Sequence, residues 1–289
     1  MKKLLCAAVC TVMCAVTASA AETPALKVGF DGQDKVSVAS HSIPAVWPLS
    51  AAISVEGAES GKCIVAVYDM DGNMKNVRIG DVTDTSISME DAGTEGTMKV
   101  FLLNDTNEIV PLDKAYEFKQ MYTFDDIADL DIFTTATGLI PTVETEDNGN
   151  KYLKMTNKVK YTVTTYFNIA NLPKTHDYKV SFKYKLSEPT GYTHTMSMVY
   201  DNGTTNGIWP DQIDQKKFSN VNSTEWETAE FMIYSKSGRD ITKNGKTKTY
   251  YPTKLAIALE NSSGTANKDG SNYVYIDDLK LEIADEAAE

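Results

Sequence analysis

Five aromatic residues, Tyr192, Tyr200, Trp209, Tyr250 and Tyr251, fall in or beside polar stretches rather than inside apolar runs. Trp209 is the sharpest case. It lies in Asp201-Asn202-Gly203-Thr204-Thr205-Asn206-Gly207-Ile208-Trp209-Pro210-Asp211, and a tryptophan held in water by such a loop is costly unless it meets a partner. Tyr and Trp rings combine an apolar body with a hydrogen-bonding tip, so exposed rings suit a ligand with one apolar face and a polar rim. The polar rim of such a ligand would meet amides and carboxylates, here Asp201, Asn202, Asn206 and Asp211. The structural alternative is that Trp209 packs beneath its own loop and that Tyr250 and Tyr251 cap a sheet edge.

Catalytic patterns are missing from the sequence. A glycosidase needs two carboxylates placed across the scissile bond, and no motif pairs the many acids; Glu225, Glu227 and Glu230 do not form the Glu-x-Asp-x-x-Glu strand of sandwich glycanases. His41, His176 and His194 are scattered without metal-ligand spacing. Nothing matches a serine nucleophile elbow or a Cys–His pair. The chemistry to expect is recognition, with no enzyme activity.

Composition narrows the partner. The chain has 289 residues, with 28 Lys plus Arg against 40 Asp plus Glu, for a formal charge of −12. So acidic a balance argues against nucleic acid, which selects a basic face, and against a polybasic membrane patch. Lys2 and Lys3, the apolar stretch from Leu4 to Val16, and Ala18-Ser19-Ala20 make a secretory signal over residues 1–20. Losing the two lysines takes the charge from −12 to −14, which disfavours anionic glycans unless calcium bridges them. Cys6, Cys10 and Cys14 belong to the leader, so Cys63 alone remains and no internal disulfide forms. Thr11-Val12-Met13 does not match the small-residue box of a lipoprotein ahead of Cys14. No later apolar run reaches the roughly 20 residues of a membrane span. The expected location is extracellular, with cell-surface association open.

The elements that must position these residues are strands. Val65, Val67, then Met98, Val100, Leu102, then Tyr178, Val180, Phe182, Tyr184 alternate with more polar neighbours, and Val274, Ile276, Leu279, Leu281 and Ile283 close the series. Alternation of this kind means half-buried antiparallel strands. Turn signals separate the runs: Asp71-Gly72-Asn73, Asp147-Asn148-Gly149-Asn150, Asp201-Asn202-Gly203, Asn244-Gly245 and Asp269-Gly270. The class is all-β, and a boundary near residues 117–122 divides it into two β-sandwiches, 26–118 and 121–285. Trp47 and the alternating rings Tyr178, Phe182 and Tyr184 are expected to pack, and Trp226 to pack in the core or at its rim. Asp69-Met70-Asp71-Gly72-Asn73 has the look of a calcium loop, but the acid required near position 12 of such a loop is missing, and a hairpin turn is expected.

Two resemblances follow from ordered motifs. Cys63-Ile64-Val65-Ala66-Val67-Tyr68-Asp69-Met70-Asp71-Gly72-Asn73-Met74, followed by Met98-Lys99-Val100-Phe101-Leu102-Leu103-Asn104 and Ile109-Val110-Pro111-Leu112, resembles an immunoglobulin-like accessory domain of secreted Gram-positive bacterial proteins. Leu103 stands where that pattern has Trp, and Asn104 where it has Asp. The second set is Phe124-Asp125, Gly149-Asn150-Lys151-Tyr152-Leu153, Tyr178-Lys179-Val180-Ser181-Phe182-Lys183-Tyr184, Trp226 with Phe231, and Ile276-Asp277-Asp278-Leu279-Lys280-Leu281. In this order it resembles the jelly-roll (galactose-binding-like) carbohydrate-binding modules of polysaccharide-degrading enzymes. That resemblance implies a non-catalytic glycan-binding protein with an extracellular polysaccharide as partner. It also implies a structural calcium at Asp125, Asp126 and Asp277 or Asp278; strand geometry forbids both of the last two from facing the core. The competing reading is a structural or adhesive surface protein whose sandwiches meet another protein.

Overall fold

The computed structural model describes residues 24–38, 40–104, 111–125, 127–135, 141–156, 163–186, 194–200, 215–217, 225–259 and 273–284. The leader expected at 1–20 lies outside them. The described residues are strands joined by turns, with one 3-10 segment at Ile127–Ile132, in line with an all-β class. No described helix is long and apolar enough to cross a membrane.

Nine strands form the first unit: β1 (Ala25–Phe30), β2 (Val36–Ser37), β3 (Ser42–Pro44), β4 (Leu49–Glu56), β5 (Lys62–Tyr68), β6 (Met74–Asp81), β7 (Ile87–Asp91), β8 (Thr97–Leu103) and β9 (Tyr116–Lys119). They make two sheets, in the orders β2-β1-β4-β7 and β3-β9-β8-β5-β6. All pairs are antiparallel except β3 with β9, where Ile43 lies beside Phe118. Alternation places one side of each strand inside. On β8, Met98, Val100 and Leu102 are buried while their neighbours are half-exposed. These residues meet Leu26, Val28 and Ile53 from the opposite sheet in one apolar cluster. Each such side chain contributes about 1.5–3 kcal/mol by leaving water. Trp47 joins this cluster, and its indole N–H donates to Asp91 at 2.7 Å. The Asp69 turn is a hairpin: its carboxylate accepts the Asn73 N–H at 2.8 Å, and Lys75 lies 2.8 Å away.

The second unit contains β10 (Met121–Tyr122), β11 (Phe133–Thr135), β12 (Thr142–Thr145), β13 (Lys151–Thr156), β14 (Val163–Asn168), β15 (Tyr178–Leu186), β16 (His194–Tyr200), β17 (Gln215–Lys217), β18 (Glu227–Ile233), β19 (Arg239–Lys243), β20 (Lys246–Tyr250), β21 (Pro252–Leu259) and β22 (Tyr273–Ile283). One sheet runs β12-β13-β22-β15-β18, with β10 also on β22; a second runs β11-β14-β21-β16-β17; β19 and β20 form a separate hairpin. Tyr178, Phe182 and Tyr184 are buried as their alternation requires, in a cluster with Leu153, Phe167 and Leu281.

No flexible linker separates the two units. β9 passes into β10 through Gln120, whose carbonyl accepts the Leu281 N–H at 2.8 Å and whose side chain is 3% exposed. Val46, from the first unit's sequence, packs in the second cluster. Lys119 bridges the seam. Its ammonium is 2.8 Å from Glu117 on its own strand and 2.8 Å from Asp129, which is 3% exposed and also accepts the Phe124 N–H at 3.2 Å. That second bond holds Phe124 at φ 60, a conformation rare for a bulky residue. Removing one partner of a buried ion pair leaves the other uncompensated. We expect Asp129→Ala to lower unfolding stability by about 3 kcal/mol, read from the urea midpoint, whereas Asp240→Ala on the exposed β19 should leave it within about 0.5 kcal/mol.

Candidate functional site

The β22 strand carries an irregularity that shapes the outward face of its sheet. Val274 and Ile276 point inward, and so do Leu279 and Leu281. The inward parity therefore changes between Ile276 and Leu279, which requires one extra residue. The ladder to β15 shifts register between Ser181 and Lys183, and Asp278 has φ 49, as a β-bulge demands. The bulge separates the two acids. Asp277 is 5% exposed and accepts from the Asn150 amide at 3.1 Å and from the Asp278 N–H at 2.8 Å. Asp278 turns outward to Lys183 at 2.6 Å. Burial raises the Asp277 pKa above the ordinary carboxylate value.

The turn before β13 supports the same face. Gly149 has φ 91, a left-handed conformation that favours glycine. It closes a turn in which the Glu146 carbonyl accepts the Gly149 N–H at 2.9 Å and the Asn150 carbonyl accepts the Glu146 N–H at 2.7 Å. The turn thereby directs Asn150 to Asp277 and Glu146 to Lys185, 3.1 Å away.

Three rings gather around Lys185. Tyr152 meets Trp226 edge-on at 5.6 Å and 68°, and Tyr275 at 5.0 Å and 73°. The Lys185 ammonium lies 5.7 Å from the Tyr152 ring centre, 4.9 Å from Trp226 and 5.5 Å from Tyr275, within cation–π range of all three. Tyr152 is 8% exposed, while Trp226 and Tyr275 remain half-exposed. Around the rings the charges are paired: Lys154 with Glu144, Lys179 with Glu282 at 3.2 Å, and Lys183 with Asp278. The hydrogen bond from Lys185, assisted by those from Asn148 and Trp226, holds the Glu146 carboxyl below its ordinary pKa. The result is a corner of fixed rings with carboxylates and ammonium groups at its rim.

The residues singled out from sequence fall differently. Tyr192, Trp209, Asp201, Asn202, Asn206, Asp211 and Asp126 lie outside the described residues, and Tyr200 is described for its backbone place at the end of β16 only. Tyr250 is partly buried against the second cluster, under Lys248 at 5.1 Å. Tyr251 is 41% exposed, with Lys174 at 5.8 Å. Asp125 is exposed; its carboxylate accepts from Thr123 at 2.9 Å and its carbonyl from Lys151 at 2.7 Å. Among the described residues no three His, Cys, Asp or Glu come together as a metal site. His41 stacks on Tyr116 at 4.5 Å and lies 3.2 Å from Asp113; His176 lies 3.9 Å from Asp31.

Trp226 packs at the rim, on the outward side of the sheet. Tyr152, Tyr275, Lys185 and Glu146 were not singled out. Their outward direction is implicit in the alternation of Tyr152 with Leu153 and of Tyr275 with Val274 and Ile276. That they meet depends on the pairing of Leu153 with Ile276 and of Lys185 with Tyr275.

No family model matches the chain, and no curated protein matches it. Among solved structures it is similar to the CBM22-2 xylan-binding domain from Paenibacillus barcinonensis Xyn10C, at 14% identity over 57% of this chain and 98% of that one, with a TM-score of 0.40. It is also similar to the CBM22-1-CBM22-2 tandem domain of the same protein, at 14% identity over 92% of this chain and 80% of that one, TM-score 0.39. A third is the family 11 carbohydrate-binding module of the cellulosomal cellulase Lic26A-Cel5E of Clostridium thermocellum, at 13% identity over 54% and 89%, TM-score 0.34.

A depressed carboxyl pKa gives stability that is present above the unfolded value and is lost as pH falls through the folded one. We therefore expect the Trp226 environment to persist through the ordinary Glu range near pH ~4.3 and to change only below it. The acid transition in tryptophan emission should be absent from Glu146→Gln.

Proposed function

We propose that this is a secreted, non-catalytic glycan-binding protein whose second sandwich stacks sugar rings on Tyr and Trp. The observation that carries this reading is the corner formed by Tyr152, Trp226 and Tyr275, with two of the three rings half-exposed on one outward face. Edge-to-face contacts and the Lys185–Glu146 pair fix the rings before any ligand arrives, which lowers the ordering cost of binding. Glu144, Glu146, Lys154 and Lys185 can bond sugar hydroxyls at the rim. Because these charges are already paired, the face suits a neutral glycan better than a polyanion. The exposure of Tyr251 supports the same reading, since a purely structural role would favour burial of that ring. Trp209, Tyr192 and Tyr200, with Asp201, Asn202, Asn206 and Asp211, belong to the proposal as a second ring-bearing segment, and the first sandwich as an immunoglobulin-like spacer.

Affinity electrophoresis of the mature chain in neutral polysaccharide gels tests this reading. We expect retardation by at least one polysaccharide, with a loss of about two- to tenfold in affinity for Trp226→Ala; a stacking ring is worth about 0.5–1.5 kcal/mol. Trp209→Ala in the same gels measures the share of the loop segment. Unretarded migration of the folded protein in every neutral glycan would refute the reading.

A structural calcium is part of the same proposal, with Asp125, Asp126 and Asp277 as carboxylate ligands and carbonyls near Gly149 and Lys151 beside them. Ligands that bind only the folded state raise its stability, so calcium should raise the thermal midpoint of the parent and leave that of Asp277→Asn unmoved. In chelator the order reverses. The raised Asp277 pKa means that ionisation opposes folding, so Asp277→Asn should melt above the parent at neutral pH, with the gap closing as pH falls through the raised folded value and fully closed below about 3.9. A parent midpoint indifferent to calcium would remove the ion from the proposal.

A further inference from the structure

A cleft of about 490 Å³ lies between the two units and shares no residue with the ring corner. Clefts of this size hold small ligands, and the boundary between two folded units is a common place for them. Two turns form its walls, one from each unit.

On the first side the chain reverses after β1. Asp31 and Gly32 have φ 50 and 75, and the Gln33 N–H donates to the Phe30 carbonyl at 2.9 Å. Gly29 admits this reversal, since a Cβ there would lie 2.3 Å from the Gln33 carbonyl oxygen. The turn presents Gln33, Asp34 and Val36 to the cleft. On the second side the Leu172 N–H donates to the Ile169 carbonyl at 3.0 Å, and the Ile169 N–H to the Thr253 carbonyl at 3.1 Å. Ile169 and Leu172 are each 2% exposed. Burial therefore pins this turn and leaves Asn171 and Lys174 at the cleft. Asp31 ties the two walls together: its carboxylate accepts from the Thr175 hydroxyl at 3.2 Å and lies 3.9 Å from His176.

The polar side chains here differ from those around Lys185, which are paired within the chain. Among the described residues Gln33, Asp34 and Asn171 have no side-chain hydrogen-bond or ion-pair partner, and Lys174 has none beyond the Tyr251 ring, 5.8 Å away at its centre. Each amide offers both donors and an acceptor. Asp34 adds an acceptor and Lys174 donors, and their formal charges cancel. Apolar surface borders these groups: Val36 is 46% exposed and Tyr251 41%.

We infer that this cleft is a second saccharide site, taking an uncharged sugar unit. Its hydroxyls bond Gln33, Asp34, Asn171 and Lys174, and its C–H face rests on Val36 and Tyr251. An ion of either sign meets a like charge from Asp34 or Lys174, and a wholly apolar ligand strips water from four polar groups without replacing it. A polyol with an apolar face satisfies both kinds of surface. The inference rests on the glycan-binding reading of the second sandwich and gives the first sandwich a ligand contact of its own. A sugar seated here touches a turn from each unit and so holds the two together.

The test is calorimetric titration of the mature chain with cellohexaose, xylohexaose and mannohexaose, with hydrogen exchange locating each contact. It is repeated with Trp226→Ala and with the double variant Gln33→Ala, Asn171→Ala. Neither amide has a partner to lose, so the double variant keeps its fold, checked by circular dichroism. We expect at least one hexasaccharide to slow exchange over both 30–36 and 169–175, and to do so equally in Trp226→Ala. The double variant should lose affinity at the cleft by about five- to a hundredfold, the equivalent of two hydrogen bonds, while protection around Trp226 persists. Saccharide binding with protection around Trp226 alone, unchanged by the double variant, would overturn this inference and leave the ring corner standing. A parent chain that binds no neutral glycan removes both. Protection of the cleft by trialanine but by no saccharide would likewise overturn the inference.

Discussion

Strand β22 is bordered on one side by β15 and on the other by β13 and β10, so the β12–β13 pair, the β15–β18 pair and β10 join into one sheet only when this last strand is in place. Its inward residues Val274, Ile276, Leu279 and Leu281 are all at or below 1% exposure. Keeping all four inside while the count between Ile276 and Leu279 is odd forces the bulge at Asp277 and Asp278. Hydrophobic burial thus determines the position of a buried carboxylate. Asn150 and the Asp278 N–H satisfy that carboxylate, because an unpartnered one would be too costly to bury.

The same alternation that fills the core sends Tyr152, Tyr275 and Lys185 to the opposite side of the sheet. Polar residues normally cover such a face, and here lysine–carboxylate pairs do so along most of its length. Aromatic rings interrupt that ladder at one place. They are kept from collapsing into an ordinary apolar patch by a cation enclosed among them and by Glu146, itself held by a glycine-dependent turn. The ring corner is therefore a property of the outward half of a strand pattern whose inward half provides stability.

The seam between the two sandwiches follows a different logic. Gln120, Lys119 and Asp129 are polar residues at a place where two apolar clusters come together, and each is matched by a specific partner. Continuous backbone from β9 to β10 leaves little slack between the two units.

Period-two patterning was sufficient to read the all-β class, the inward rings Tyr178, Phe182 and Tyr184, and the hairpin at Asp69, because burial on one side of a strand is a local demand on sequence. The parity change between Ile276 and Leu279 was also present in the letters, and it encodes the bulge. The ring corner was not legible. Tyr152, Lys185, Trp226 and Tyr275 lie on or beside four different strands, and only the register of Leu153 with Ile276 and of Lys185 with Tyr275 brings them within 6 Å of one another. Local sequence determined which side of each strand faces water. Which outward residues become neighbours was decided by long-range pairing, because strand order and register are set by the packing of the whole sheet.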